Sequence, residues 1–328
     1  MAHEIDESTG RPAFFTLREP AWHGLGTVIK EPITCREAIE LAGLNYEVTL
    51  QPIVTTEGDT ISTHFATRRE DTKGILGVVG ARYTPLQNAD AFGPFEELVD
   101  QKLIQIETAG ALRNGSRMFL TCRATGIDGN IAGDQIQGYF LLANGHDGSL
   151  CLHMGFTPVR VVCSNTLAMA RSHTASSLVR LKHTKSIKAV TEELVKRVDW
   201  VRNEFVLTQE LYSYLASKRI VHHADLRKFI VEALDLSEDG PKTDGIVSDV
   251  LILGQSETNQ TKATKNTWWG AYNAVAEYLT HESGSNDENR LISQWFGPSA
   301  KLTHEAIKIA VNYADAGNSS PTVFVKAI

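Results

Sequence analysis

Leu103–Ala124 reads LIQIETAGALRNGSRMFLTCRA, a pattern of two strands joined by a tight turn. Apolar residues fill Leu103–Leu112 and Arg117–Ala124, and Asn114-Gly115 sits between them. That dipeptide is the strongest short-range hairpin signal, because both residues accept the positive φ that the twist of paired strands requires. On the second strand Arg117, Phe119, Thr121 and Arg123 fall at even spacing, so they share one face.

The same alternation extends on both sides. Tyr46, Val48 and Leu50 alternate with Glu47, Thr49 and Gln51, and Ile61–Thr67 and Ile75–Tyr83 repeat the pattern. Glu57-Gly58-Asp59 and Asp71-Thr72-Lys73-Gly74 supply the turns between them. Downstream, Gln137–Asn144, Ser149–Gly155 and Arg160–Cys163 read as strands, with a turn at Asn144-Gly145-His146-Asp147-Gly148. Helices interrupt the strands. Thr34 and Glu37 have capping-box spacing for a short helix stopped by Gly43, and Phe92, Phe95, Leu98 and Val99 line one face of a helix over 88–101. Ser164 or Asn165 is placed to cap a further helix reaching Arg171. Beyond Ser186 the period changes. A long helix is predicted to Lys218, with Val190, Leu194, Val198, Val201, Phe205 and Leu211 near heptad spacing. More helices are expected over 224–236, 244–253, 262–281 and 303–314. The expected fold class is α+β: a mostly antiparallel β-sheet with helices in the N-terminal half, and a helical C-terminal region. The expected organisation is an extended N-terminal arm (1–30), an α+β domain (31–175), a basic linker (176–190) and a helical region (191–328).

Charge is distributed unevenly. No Asp or Glu lies between Asp147 and Glu192, a gap that holds Arg160, Arg171, Arg180, Lys182, Lys185 and Lys188. The whole chain carries a formal net charge of −7. A concentrated positive stretch in a negative molecule is an electrostatic footprint for a polyanion. Ser172, Thr174, Ser176, Ser177, Thr184 and Ser186 accompany the cations with hydroxyls that can donate to phosphate oxygens. Arg82-Tyr83 at a strand end combines a cation with a ring that can stack on a base, and Arg113 and Arg117 flank the hairpin turn.

Catalytic signals are weak. His146, Asp147 and His153 are close in sequence, and His222 and His223 adjacent, yet neither group has a recognised zinc spacing. Glycine-rich phosphate loops and the nucleophile-elbow pattern are absent from the sequence, and no cofactor is expected. Four scattered cysteines, a polar N-terminus unlike a signal peptide, and the lack of a long apolar run predict a reduced, cytoplasmic protein without a membrane partner. Thr267-Trp268-Trp269-Gly270-Ala271-Tyr272-Asn273 is the densest aromatic cluster, and the helical spacing of Trp268, Tyr272, Val275 and Leu279 assigns it to the core.

Four strings carry a resemblance: Ala21-Trp22-His23-Gly24-Leu25-Gly26, Gly80–Phe92, Asn144–Gly148 with Phe156–Leu167, and Thr267–Asn273. Together they resemble the phage/plasmid-like protein family containing domain of unknown function 932. The resemblance implies a mobile-element setting and assigns no reaction and no catalytic residue. In outline the order of hairpin, strands, helix and positive segment is also similar to phage single-strand annealing proteins. The resulting expectation is a single-stranded DNA binding or annealing protein without covalent chemistry. Its phosphate contacts would be Arg160, Arg171, Arg180, Lys182, Lys185, Arg82, Arg113 and Arg117, with Tyr83 stacking, and its subunits would assemble as a homo-oligomer, a ring or filament. Two alternatives stay open: an inhibitor or adaptor of a host protein, and a metal-dependent nucleic-acid enzyme using His23, His146 or His153.

Overall fold

The computed structural model describes residues 5–17, 24–160, 165–166, 177–181, 188–237, 240–284, 293–294 and 297–316, with backbone alone from 160 to 200. The fold is α+β and mostly antiparallel, with helices also filling the C-terminal half. Two compact units share the chain, and each takes several segments. Unit 1 holds Met1–Gly126, Phe140–Gly155 and Leu178–Val198; unit 2 holds Ile127–Tyr139, Phe156–Ser177 and Asp199–Ile328.

In unit 1 the expected hairpin forms. Strands β6 (Ile104–Leu112) and β7 (Arg117–Ile131) pair antiparallel, with Leu112 opposite Arg117. Arg113, Asn114 and Gly115 all take positive φ in the turn. β1 (Phe14–Leu17) lies antiparallel to β6, and β2 (Thr27–Ile29) parallel to β1, so part of the expected arm is sheet, with Phe14, Phe15 and Leu17 buried. Phe14 and Phe119 meet above Gly110, ring centroids 6.2 Å apart. Phe119, on the face expected to interleave rings and arginines, is therefore core and does not offer its ring to a base.

β8 (Asp134–Gly145) and β9 (Leu152–Arg160) complete the sheet order β10-β9-β8-β7-β6-β1-β2, where β10 is Asn165–Thr166 and β11 (Ser177–Leu181) also pairs with β9. This corrects the helix expected from Ser164 or Asn165. Asn165 pairs with Arg160 and Thr166 with Val159, so the ladder engages the backbone that a cap would have served. Residues 167–171 of that helix lie outside the described residues. β11 places a strand inside the stretch expected to be a linker.

A second sheet, β3 (Val48–Val54), β4 (Thr60–Arg69) and β5 (Ile75–Gly80), is antiparallel throughout. Helix α1 (Cys35–Leu41) has its capping box, with Thr34 and Glu37 bonded reciprocally. Helix α2 (Asn88–Asp100) buries Phe92, Phe95 and Leu98.

Unit 2 takes most of the long helix α3 (Lys188–Ser217), which buries Val201, Phe205 and Leu211 at the expected spacing. α4 (His223–Ala233) and α5 (Pro241–Leu253) follow. α6 (Trp268–Glu277) starts later than expected, because Thr267 accepts from the Gly270 N–H and Asn266 takes φ 55° just before it. All ten residues of α6 are buried. Trp269, outside the single face inferred from spacing, is thus core as well: its indole N–H donates to Asp134 at 2.9 Å, and Tyr212 packs at 4.4 Å. A π-helical turn (Tyr278–Glu282) and the helix Pro298–Ala316 follow.

The most consequential buried charge is Arg69, 1 % exposed, ion-paired with Asp6 and with Asp71 at 2.7 Å. Its guanidinium lies 3.9 Å from the centre of the Tyr46 ring and donates to the Asn114 carbonyl. Burial alone would lower the Arg69 pKa, but the bonds to Asp71 and Asp6 outweigh it and hold the group above its ordinary value. Removing one member of such a pair strands the other, at a cost of about 3–5 kcal/mol. Arg69→Leu is expected to lose that amount in urea unfolding; an unchanged midpoint would refute the assignment. Burial also pushes the Tyr46 phenol up to about 12. The folded state favours the neutral phenol, so this stabilisation is intact below the unfolded value of about 10 and lost as pH climbs to the folded value. Circular dichroism across that alkaline window should show loss of stability that is smaller in Tyr46→Phe.

Candidate functional site

Two segments that stand far apart in sequence, Gly80–Asn88 and Asn144–Ser149, meet in unit 1. β5 ends at Gly80, whose carbonyl accepts from the Tyr83 N–H at 2.9 Å in a turn. The strand expected to reach Tyr83 therefore stops three residues early. The Gln87 side chain then bonds both the N–H and the C=O of Val48, at 3.0 and 2.9 Å, as a paired strand residue would. Asn88 opens α2 with its amide N–H on the Leu44 carbonyl at 3.0 Å.

Three contacts join the segments. The Tyr83 hydroxyl donates to the Gly145 carbonyl at 3.2 Å. Asn144 donates to the Leu86 carbonyl at 3.4 Å. His146 is fully buried and its Nε2 lies 2.9 Å from Asn88 Oδ1. Since the other end of the Asn88 amide donates to Leu44, Oδ1 is the acceptor and His146 Nε2 carries the proton. The His146 N–H bonds the Ser116 carbonyl at 2.7 Å, and the ring meets Tyr46 edge-on at 6.2 Å.

Asp147 closes the turn. Its Oδ1 accepts from the Ser149 N–H and hydroxyl at 2.9 and 2.6 Å, and its Oδ2 faces Arg117 Nε at 3.4 Å. Arg117 Nη2 donates to Ser149 at 2.9 Å. Burial, and then the Asp147 charge, push the Tyr83 phenol well above its ordinary pKa. Gly148 takes φ 78°, and a Cβ on Gly77 would fall 2.6 Å from Asp147 Cα, so the turn rests directly on β5.

Of the residues expected to contact DNA, Arg82 is exposed and Tyr83 and Arg113 are half-buried. Arg117 is corrected: its side chain is 13 % exposed and held by Asp147 and Ser149, so it braces the turn and is not available to a phosphate. Arg160 and Arg180 are placed by backbone on β9 and β11, strands that pair with each other. Arg171, Lys182 and Lys185 lie outside the described residues, as does His23. His146 is walled off from any substrate by its burial. Among the described residues no three His, Cys, Asp or Glu side chains gather as metal ligands. No described helix is long and apolar enough to cross a membrane.

The arrangement is a rigid polar knot, chemically suited to fixing a loop and a strand end, with Arg82 and the Tyr83 ring at its surface. Sequence reasoning missed the Asn88–His146 bond; its trace was an Asn opening a helix and a His flanked by glycines. Gly77→Ala forces the turn off β5 and should cost about 1–3 kcal/mol, as overpacking does. Tyr83→Phe removes a single hydrogen bond and should cost about 0.5–1.5 kcal/mol. A Gly77→Ala loss well below about 1 kcal/mol in thermal melts would contradict this seating of the turn.

No curated protein and no solved structure matches the chain. Residues 75–295, more than half of its length and including both halves of the knot, match the family described as Domain of unknown function (DUF932). The chain belongs to that family.

Proposed function

We propose that the protein binds and anneals single-stranded DNA for a phage or plasmid, in recombination or replication, without covalent chemistry. The observation that carries this reading is the stretch between Asp147 and Glu192, which holds six Lys and Arg and no carboxylate. Its described parts support it: Arg160 lies on β9 and Arg180 on β11, so both cations sit on extended backbone. Arg160, Arg171, Arg180, Lys182 and Lys185 contact phosphates. Arg82 extends the track, Arg113 adds charge beside the hairpin turn, and the ring of Tyr83 is offered to a base. Arg117 is left out. Phosphate contacts hold a strand without reading its sequence, which leaves base edges free to pair with a complement. A net charge of −7 opposes this in a lone subunit, and a homo-oligomer, as a ring or filament, aligns the positive stretches.

Five phosphate contacts to a single strand give a slope of about −3.5 in log K against log salt. An electrophoretic shift across a salt series with full-length protein should show that steepness. The variant Arg171→Glu, Arg180→Glu, Lys182→Glu should flatten it by about 2. Absence of binding at low salt, or binding indifferent to salt, would overturn the reading.

A further inference from the structure

Unit 2 carries a second concentration of positive charge, invisible in the linear sequence. The segment after α3 runs alongside the segment before α6: Arg219 bridges Thr267, the Ile220 N–H bonds the Asn266 carbonyl at 3.1 Å, and the Trp268 N–H bonds the Lys218 carbonyl at 3.0 Å. Arg219 also donates from its side chain to the Lys265 carbonyl. Lys218 and Arg219 are thereby set beside Lys265, with Lys262 one turn earlier in the same segment. Neither segment holds an acidic residue, from Ser217 to Ala224 and from Thr258 to Ala276. Arg219, Lys262 and Lys265 are exposed, and Lys218 rests its ammonium 4.8 Å from the Tyr214 ring centre. No described carboxylate forms an ion pair with any of the four.

A cleft opens between these same segments. Ile220, Thr264, Asn266 and Thr267 line it, so the cations adjoin its wall in the chain. Its floor is aliphatic, from Ile230 on α4 and Val250 on α5, and Gln255 and Gln260 stand at its margin with exposed side chains. The volume is 150 Å³. Sites that enclose a drug-sized ligand measure about 300–1,000 Å³, so this cleft takes one ring system and leaves the remainder outside. Ile230 and Val250 cover the face of a flat ring; the Gln255 amide and Gln260 Oε1 bond its polar edge, while the Gln260 amide N–H groups hold the Gly254 and Asn259 carbonyls; and cations beside the opening meet the charge that remains outside. Apolar side chains can cover an unstacked base as rings do, so that combination matches an unpaired nucleobase with its neighbouring phosphates.

We propose that this cleft is a separate single-strand site, taking one unpaired base while Lys218, Arg219, Lys262 and Lys265 hold the adjoining phosphates. It shares no residue with the stretch between Asp147 and Glu192 and stands whether or not that stretch binds DNA.

The test uses full-length protein and a short single-stranded oligonucleotide carrying 5-bromodeoxyuridine. Photocrosslinks should map to peptides covering 218–230 or 250–274; crosslinks confined to other peptides overturn the site. Lys262→Glu with Lys265→Glu changes two exposed side chains and keeps the Arg219 bond to the Lys265 carbonyl, so circular dichroism and melting should be unaltered. Affinity at low salt should fall at least about tenfold, and the salt slope should flatten by about 1.4, the share of two single-strand phosphate contacts. The same double change is made on top of the triple variant described above, so that failure of one site is read separately from failure of the other. Unchanged affinity and slope in a folded double variant refute the proposal. An abasic strand of equal length should bind more weakly, and equal binding refutes the assignment of a base. Stronger competition by a glutamate-rich peptide than by unlabelled oligonucleotide would make the ligand an acidic protein and refute it too.

Discussion

A single guanidinium holds four parts of unit 1 in register. Arg69 stands at the end of β4, yet its partners are Asp6 near the N-terminus, Asp71 in the following turn, the Asn114 carbonyl of the hairpin and the ring of Tyr46. A buried arginine is expensive unless every donor is answered, so its satisfaction fixes where each of those segments must lie. The hairpin turn shows the constraint. A Cβ on Gly115 would sit 2.6 Å from Arg69 Nη1 and 3.0 Å from the Tyr46 hydroxyl, which is reason enough for glycine there beyond its φ of 86°. The constraint then travels onward. Gly115 accepts from Tyr46, the next residue accepts from His146, and His146 bonds Asn88 at the start of α2. From Arg69 to the knot at Gly145 there is a continuous path of buried polar contacts.

That path explains what could be read in advance and what could not. Local signals were strong where they were self-contained. Asn114-Gly115 specifies its own turn, Thr34 and Glu37 satisfy each other, and the spacing of Val201, Phe205 and Leu211 describes one helix face. Errors arose where a partner distant in sequence overrode the local choice. Asn165 has the chemistry of a cap, but strand pairing with Arg160 engaged it first. Phe119 shares a strand face with Arg117, Thr121 and Arg123 as a surface ring would, yet β1 brings Phe14 beside it. Trp269 falls off the helical stripe because α6 has no exposed face for a stripe to contrast with. Arg69 itself carried no sequence signal stronger than an aspartate two residues on.

The site followed the same division. Arg82-Tyr83 and Asn144–Gly148 could each be singled out from composition, as a cation beside a ring and as a glycine-rich turn. Their meeting could not, since it runs through side-chain amides of Asn88 and Asn144 that look like ordinary polar residues in a list. Arg117 was counted as a free cation because Asp147 lies 30 positions away in sequence, and charge read in one dimension cannot see an ion pair between turns.

The same argument runs in reverse for attraction. Neutralisation across sequence removed Arg117 from the positive surface, and juxtaposition across sequence created a positive surface at Lys218, Arg219, Lys262 and Lys265 that no window of the chain displays. Salt screens exposed charges beyond roughly 10 Å, so what a phosphate meets is the local cluster and not the total of −7. An acidic protein can therefore hold a polyanion wherever backbone pairing gathers cations faster than it gathers carboxylates. In this chain cations gather without carboxylates by two different routes: a stretch from which acidic residues are missing altogether, and a pair of acid-free segments that hydrogen bonds draw together.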